Sequence, residues 1–213
     1  MFRRYRDYKV GEFYVVFADT AWGGVDYCSA QFISKDALDV PVVYHARELA
    51  SDMTPRIHAE LNEIYRQTKV KPVVAFERNN GGVAELQRLE RLNRDQNYII
   101  YKEKSKTATL EGEQDSGKLG WTTSTATRPT MLSGLKDAVD NKLIRLYDQL
   151  TIEEMFSFVI KQTANGWKAE AESGAHDDLI MALAGAWQLY QTEEPPRKYD
   201  TSTTSGNVTS LFY

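Results

Sequence analysis

Apolar residues form short continuous runs along the chain, and each run has the length of a single strand. The runs are rich in aromatic and β-branched side chains, which favour strands. They predict five strands, at residues 13–19, 26–34, 40–48, 72–77 and 97–102. The first three follow one another across short connections, so we expect them to form an antiparallel meander.

Apolar residues spaced three or four apart predict helices between and after these strands. The predicted helices cover residues 54–69, 83–93, 127–141, 151–160 and 177–190. Thr54-Pro55 suits the start of the first helix, and Thr151 with Glu154 has the spacing of a capping box. A short strand is expected at residues 166–171. A meander followed by alternating helices and strands predicts an α/β fold, with a mixed sheet flanked by helices.

The chain contains 213 residues, which suffices for one domain with a substantial core. We expect that domain to cover residues 1–192, because the remaining pattern contains no second apolar core. Residues 193–213 are mostly polar and predict a disordered C-terminal tail. Residues 103–126 are polar and lack periodicity, which predicts a long loop that is either functional or disordered.

Net charge, cysteine content and the length of the apolar runs limit the classes of protein to which this chain could belong. The net charge of −4 argues mildly against a protein that holds nucleic acid by bulk charge. That objection weakens if several acids bind cations, because a bound cation reverses the local sign of the charge. Cys28 is the single cysteine, so no internal disulfide forms and a reducing compartment is favoured. No apolar run approaches the roughly 20 residues needed to span a bilayer.

Four carboxylates lie at the ends of predicted apolar elements. Asp19 and Glu77 each end a predicted buried strand, and Asp177 and Asp178 open the last predicted helix. An acid beside an apolar interior costs free energy unless it is paired or binds a cation. Three such positions indicate one place where the elements converge. Clustered carboxylates repel one another and a divalent cation is the usual remedy, so we predict a metal site.

Each acid also has an ordinary structural interpretation. Asp19 would form a turn before Gly23-Gly24, and one of Asp177 and Asp178 would cap the last helix. Two adjacent acids cannot both cap one helix. Oxygen ligands shared between two cations are the arrangement that two-metal phosphoryl chemistry requires. The single cysteine and three histidines form no competing zinc pattern.

Several segments, taken in order, resemble a known family. They lie at residues 17–26, 76–80, 119–123, 127–129 and 176–178. Together with the order of the acids, they resemble the nuclease domain of viral terminase large subunits, which belong to the ribonuclease H-like nucleases. The resemblance extends over roughly residues 10–190. The ordered set is specific, whereas each motif alone is weak.

The resemblance implies a ribonuclease H-like fold and a metal-dependent DNA endonuclease. Such an enzyme cuts concatemeric viral genomic DNA during packaging by two-metal phosphodiester hydrolysis. The resemblance further implies Mg²⁺ or Mn²⁺ held by Asp19, Glu77 and Asp178, with Asp177 as a further catalytic and metal-binding candidate. Implied partners are double-stranded DNA, the portal protein, and the ATPase and small-subunit parts of the packaging motor. No membrane is implied, and the implied location is the host cytoplasm.

Full-length members of that family also carry an ATPase domain, and we find no motif for one in this sequence. Residues 112–119 approach a phosphate-binding P-loop but lack its final Ser or Thr. They also do not lead from a strand into a helix, as a P-loop does. We therefore expect an excised or split nuclease domain.

Basic residues around the polar loop are candidates for DNA contact. They are Lys102, Lys104, Lys106, Lys118, Arg128 and Arg78. Alternating lysines on an extended segment suit a phosphate backbone, although they also protect a sheet edge from pairing. His176 and Asp26 are candidates for supporting the metal ligands, with helix capping and turn formation as the alternatives.

Two alternative functions remain open. Another ribonuclease H-like enzyme, such as a junction resolvase or an exonuclease, would use the same acids. A proofreading-type exonuclease is less expected, because Asp19 is followed by Thr20-Ala21 rather than by a second acid two residues on. A non-catalytic module that binds DNA or the portal, in part through residues 193–213, would tolerate the loss of all the acids.

Overall fold

The computed structural model describes residues 1–21, 26–103, 117–163, 166–171 and 176–196. Its strands are β1 (Phe2–Arg4), β2 (Tyr14–Asp19), β3 (Cys28–Ser34), β4 (Asp39–Ala46), β5 (Val73–Phe76), β6 (Ile99–Ile100), β7 (Lys102–Glu103), β8 (Lys118–Leu119), β9 (Arg145–Leu146), β10 (Phe158–Thr163) and β11 (Gly166–Ala171). Its helices are α1 (Ala50–Thr68), α2 (Gly82–Leu92), α3 (Thr127–Asp140), α4 (Gln149–Ser157) and α5 (Asp178–Thr192).

The main sheet of the described residues has the strand order β1-β4-β3-β2-β5-β6, with β9 beside β4. Strands β2, β3 and β4 form an antiparallel meander, and β5 and β6 continue the sheet in parallel with β2. The predicted meander followed by parallel strands is therefore confirmed. The edge strands β1 and β9 were not predicted, because two or three residues carry too little apolar pattern to be recognised.

Alternate residues of β2 face opposite sides of the sheet, and each side carries its own apolar core. Tyr14 and Val16 belong to a core that includes residues of α1 and α2. Val15 and Phe17 belong to a second core, built with residues of α3 and α5. Because β2 and β5 are covered on both faces, their sequences are continuously apolar rather than alternating.

Helix α1 begins earlier than predicted, at Ala50 rather than Thr54. Pro55 therefore lies inside the helix, where it lacks the N–H that would bond to the Ser51 carbonyl. Arg88 of α2 donates to that carbonyl from Nη1 at 3.3 Å. The prediction from Thr54-Pro55 was wrong because a side chain distant in sequence satisfies the backbone that proline leaves unpaired.

Helix α4 is shorter at its C-terminal end than predicted. It ends at Ser157, and residues 158–163 form β10, which pairs with β11 in an antiparallel hairpin. Strand β11 confirms the short strand predicted at residues 166–171. The predicted Thr151–Glu154 capping box is wrong, because Asp148 accepts the Thr151 N–H at 2.9 Å. Glu154 is thereby left to bond elsewhere.

Helix α5 approaches β2 closely at a glycine. A Cβ atom on Gly185 would lie 2.5 Å from ring carbons of Phe17, well inside van der Waals contact. Although α5 is buried along most of its length, no helix in the described ranges is long and apolar enough to cross a membrane. The close approach fixes the start of α5, with Asp177 and Asp178, relative to Asp19 at the end of β2.

We expect Gly185→Ala to lower the free energy of unfolding by about 1–3 kcal/mol, because the Phe17 ring or the helix must shift to admit the methyl group. Equilibrium unfolding in urea measures this change. Gly134→Ala in α3 is the matched control, because its Cβ would meet the flexible amide end of Gln188 at 3.2 Å. Equal losses in the two variants would contradict close packing of α5 on β2.

Candidate functional site

Asp19 and Glu77 lie side by side at one edge of the sheet, the edge formed by the carboxyl-terminal ends of β2 and β5. Strands β2 and β5 run parallel, with Ala18 opposite Phe76, so the next residue of each strand reaches the same edge. The Glu77 N–H donates to the Ala18 carbonyl at 2.8 Å, which extends the pairing by one position. The Asp19 and Glu77 side chains therefore leave neighbouring strands at adjacent positions.

The start of α5 reaches the same edge through β3. Ser29 of β3 lies opposite Asp19 in the antiparallel register. The Ser29 hydroxyl donates to the backbone carbonyl of Asp178 at 2.6 Å. The backbone therefore brings Asp178 to the pair of carboxyls formed by Asp19 and Glu77, as the sequence predicted.

Burial and like charge raise the pKa values of Asp19 and Asp178. The pKa of Asp19 lies well above its ordinary value, first because of burial and then because of Glu77, Asp178 and Asp177. The pKa of Asp178 is raised to about 6, again by burial first and then by Asp177. Acids that raise one another's pKa values form a region of concentrated negative charge.

The turn after β5 holds Glu77 in place. The Asn79 side-chain amide donates to Glu77 Oε1 at 2.8 Å and to the Thr123 carbonyl at 2.9 Å. A Cβ atom on Gly82 would lie 1.6 Å from the Glu77 carbonyl oxygen, so only glycine allows the chain to fold back this tightly. Asn79 was not predicted as a site residue, because the Asn-Asn-Gly-Gly sequence has the composition of an ordinary turn.

Asp177 differs from Asp178 in its contacts. Its carboxylate forms an ion pair with Arg128 in the first turn of α3, and the two side chains are 32% and 31% exposed. Arg128, a predicted DNA contact, therefore pairs with a predicted metal ligand. The Asp178 side chain is instead more deeply buried, with 18% of its surface exposed.

His176 and Asp26 lie beside Asp178. His176 Nδ1 is 3.6 Å from Asp178 Oδ2, and the His176 ring packs edge-on against Tyr27 at 5.1 Å between centroids. His176 lowers the pKa of Asp178, whereas the charge of Asp26 raises it. Both residues therefore influence Asp178 electrostatically.

Among the basic candidates that the structure describes, Lys102 and Lys118 do not share one face. The β7–β8 ribbon pairs Lys102 with Leu119 and Glu103 with Lys118, so the two lysines leave opposite faces of the ribbon. Arg78 donates from Nη1 to the Leu119 carbonyl at 2.5 Å. Lys104 and Lys106 lie outside the described residues.

Glu154 is a further carboxylate beside the site, and the sequence pattern did not predict it there. It accepts the backbone N–H groups of Leu179 at 3.0 Å and Ile180 at 3.2 Å, at the start of α5. Its pKa is raised to about 8 by burial, and also by the charges of Asp178 and Asp177. The spacing of Thr151 and Glu154 predicted a bond within α4. The sequence could not predict the bonds to α5, because the partners of Glu154 lie on that different helix.

Within the described ranges, no three His, Cys, Asp or Glu side chains stand in an arrangement that could hold a metal ion. Asp19 and Glu77 end adjacent strands and α5 begins beside them, while the Asp177 carboxylate is paired with Arg128. A cation bound by three of the acids would therefore require a rotation of at least one side chain.

No protein-family model and no curated protein matches the chain. Solved structures do. The large terminase nuclease from thermophilic phage G20c with bound cobalt has a TM-score of 0.66 and 19% identity, covering 88% of this chain and 86% of that one. The P22 large terminase nuclease domain has a TM-score of 0.52 and 12% identity, covering 89% and 87%.

The human cytomegalovirus terminase nuclease domain, soaked with Mn and bound to an inhibitor, has a TM-score of 0.55 and 12% identity, covering 84% of this chain and 83% of that one. At these identities the likeness concerns the fold. The chain has the ribonuclease H-like fold of these nuclease domains, which confirms the predicted fold class.

The raised pKa of Asp178 predicts how stability depends on pH. Between its ordinary value of 3.8 and about 6, the folded protein retains a proton that the unfolded chain has released. This contribution to stability is present below about pH 4 and is lost as the pH rises through 6. In EDTA, we expect the unfolding free energy of the wild type to fall relative to Asp178→Asn by on the order of 2 kcal/mol between about pH 4 and pH 7.

Urea unfolding of both proteins across this range measures the difference. Asp95→Asn is the control, because Asp95 is exposed on the connection before β6, at the opposite edge of the sheet. A difference between wild type and Asp178→Asn that does not change with pH would contradict the buried, like-charged setting of Asp178.

Proposed function

We propose that the chain is a metal-dependent DNA endonuclease that cuts concatemeric viral genomic DNA during packaging. The observation that carries the proposal is the convergence of Asp19 and Glu77, at the ends of paired parallel strands, with the start of α5, which carries Asp178. This edge belongs to a fold shared with terminase nuclease domains of phages and of cytomegalovirus. A nuclease role in DNA packaging is the function that this combination supports best.

The chemistry of the acids fits divalent magnesium or manganese. Carboxylate oxygens are the ligands that these hard cations prefer. Burial, and then repulsion from neighbouring carboxylates, raises the pKa values of Asp19 and Asp178, and a cation would relieve that repulsion. The nucleases solved with cobalt, magnesium, zinc or manganese support metal use at such a fold.

Asp19, Glu77 and Asp178 would hold the cations, and Asp177 is a further ligand candidate. Bound there, two such cations would lower the pKa of a water molecule and stabilise the departing oxygen of the phosphodiester. The protein's own residues prepare the site. Asn79 fixes the orientation of Glu77, and Gly82 allows the turn that brings Asn79 back to it.

Arg128 restrains Asp177 through their ion pair, which uses Nη2, and its remaining N–H groups are proposed to contact a DNA phosphate. Lys118 is exposed on β8 and is proposed to contact the DNA phosphates, together with Lys102 and Arg78. Lys104 and Lys106 are also proposed to contact the DNA phosphates, because they follow Lys102 in the sequence. Binding to the portal and to the ATPase and small-subunit parts of a packaging motor is likewise proposed.

We expect Asp19→Ala, Glu77→Ala and Asp178→Ala each to lower the rate of plasmid cleavage by at least about 100-fold, because each removes a ligand for the cation. The measurement follows conversion of supercoiled plasmid to nicked and linear forms with Mg²⁺, with Mn²⁺ and with EDTA. Circular dichroism establishes that each variant remains folded.

Asp95→Ala is the matched control, since it removes an exposed carboxylate at the opposite sheet edge. Cleavage by the three site variants at the wild-type rate would refute the assignment. The non-catalytic alternative predicts no metal-dependent cleavage by the wild type, with DNA or portal binding kept in all variants. Branched and linear substrates separate a junction resolvase or an exonuclease from an endonuclease that linearises plasmid.

Lys118→Ala tests the proposed DNA contact. In EDTA, we expect weaker binding to a short duplex and a decrease of about 1 in the slope of log K against log salt concentration, because one phosphate contact is lost. Fluorescence anisotropy across a salt series measures the slope. Lys136→Ala, which removes an exposed lysine paired with Asp140 on α3, should leave it unchanged. Equal slopes in the two variants would exclude Lys118 as a phosphate contact.

A further inference from the structure

The first turn of α5 is held by polar side chains within an otherwise apolar core. Ser29 and Gln31 are fully buried on β3, where a polar group is costly unless it is hydrogen-bonded. Ser29 donates to the Asp178 carbonyl at 2.6 Å, and Gln31 donates from Nε2 to the Leu179 carbonyl at 3.3 Å. The sheet therefore fixes the carbonyl groups of this turn.

The N–H groups of the same turn are satisfied by Glu154 of α4. Asp177 occupies the N-cap position, and an N-cap side chain ordinarily accepts the N–H groups two and three residues further on. Those two groups belong to Leu179 and Ile180, and both donate to Glu154 Oε2. The side chain of Asp177 makes no bond to its own helix.

Helix α4 is itself anchored, so Glu154 is a fixed acceptor. The Thr151 hydroxyl accepts from Gln31 Nε2 at 3.0 Å and donates to Asp148 Oδ2 at 2.8 Å. Arg3 of β1 donates to the other oxygen of the Asp148 carboxylate at 2.5 Å. Hydrogen bonds and an ion pair thus connect β1, α4 and β3 to the turn that carries Asp178.

We infer that Glu154 is a positioning residue, which caps α5 in place of Asp177 and so leaves both adjacent acids available to the site. This inference rests on the proposed function. An Asp at an N-cap would otherwise turn its carboxylate back onto its own helix. With Glu154 in that position, the Asp177 carboxylate pairs with Arg128, and Asp178 Oδ2 lies 3.6 Å from His176 Nδ1.

Removing the cap should redirect Asp177 onto the free N–H groups of Leu179 and Ile180. We expect Glu154→Ala to lower kcat for plasmid cleavage by about tenfold or more, with KM within about twofold of wild type, since Glu154 faces the helix and not the DNA. The affinity for Mn²⁺, measured by calorimetry on the full chain, should fall as well. Amide hydrogen exchange at the start of α5 should become faster.

Two conservative variants of Glu154 separate the length of its side chain from the presence of a carboxyl group. Glu154→Gln keeps an acceptor oxygen at the same reach, so we expect it to remain within about threefold of wild type in kcat and Mn²⁺ affinity. Glu154→Asp keeps the carboxyl group but withdraws the acceptor by one methylene, so we expect a larger loss. Glu153→Ala is the control, because Glu153 is exposed on the same helix and bonds to Gln149 Nε2 at 2.7 Å.

Wild-type kcat and Mn²⁺ affinity in folded Glu154→Ala would overturn the inference. So would a Glu154→Asp variant that performs as well as Glu154→Gln, and this comparison decides the matter if Glu154→Ala does not fold. An inactive wild type would refute the proposed nuclease function instead. In that case Mn²⁺ affinity and amide exchange in the same variants still test the role of Glu154.

Discussion

The parallel pairing of β2 with β5 is the constraint on which the site depends. Because the two strands are in register, Asp19 and Glu77 leave the sheet side by side, at the carboxyl-terminal ends of β2 and β5. The apolar cores on both faces of the sheet hold this pairing, and the close approach at Gly185 fixes α5 on one of those faces. Three chain segments far apart in sequence thus deliver carboxylates to one edge.

Placing several carboxylates together in a buried position costs free energy, and the packing of the surrounding structure offsets that cost. Burial and like charge raise the pKa values of Asp19, Asp178 and Glu154 together. Ser29 and Gln31 add buried polar groups that satisfy the backbone of α5. Such an arrangement is poorly suited to stability alone, since apolar residues at the same positions would avoid the desolvation penalty. It is well suited to a region that binds cations.

The sequence was sufficient for the antiparallel meander followed by parallel strands and for the convergence of Asp19, Glu77 and Asp178, because both follow from local patterns. Continuous apolar runs identify strands covered on both faces, and an acid at the end of such a run is costly unless it has a partner or a cation. Local patterns failed where a distant partner decides the outcome. Arg88 completes α1 around Pro55, Asp148 replaces Thr151 as a cap, and Glu154 caps a helix other than its own. The assignments of Lys104 and Lys106 stay predictions, as they lie outside the described residues.

Anomalous diffraction from crystals soaked in Mn²⁺ would locate the cation independently of any activity, and so would test the metal site itself. We expect manganese density bounded by the carboxylates of Asp19, Glu77 and Asp178, at the edge where β2, β5 and α5 meet. Two results would contradict the convergence of these acids on one cation site. One is manganese that fully occupies another site and is absent from this one, and the other is manganese bound here without contact to Asp19 and Glu77.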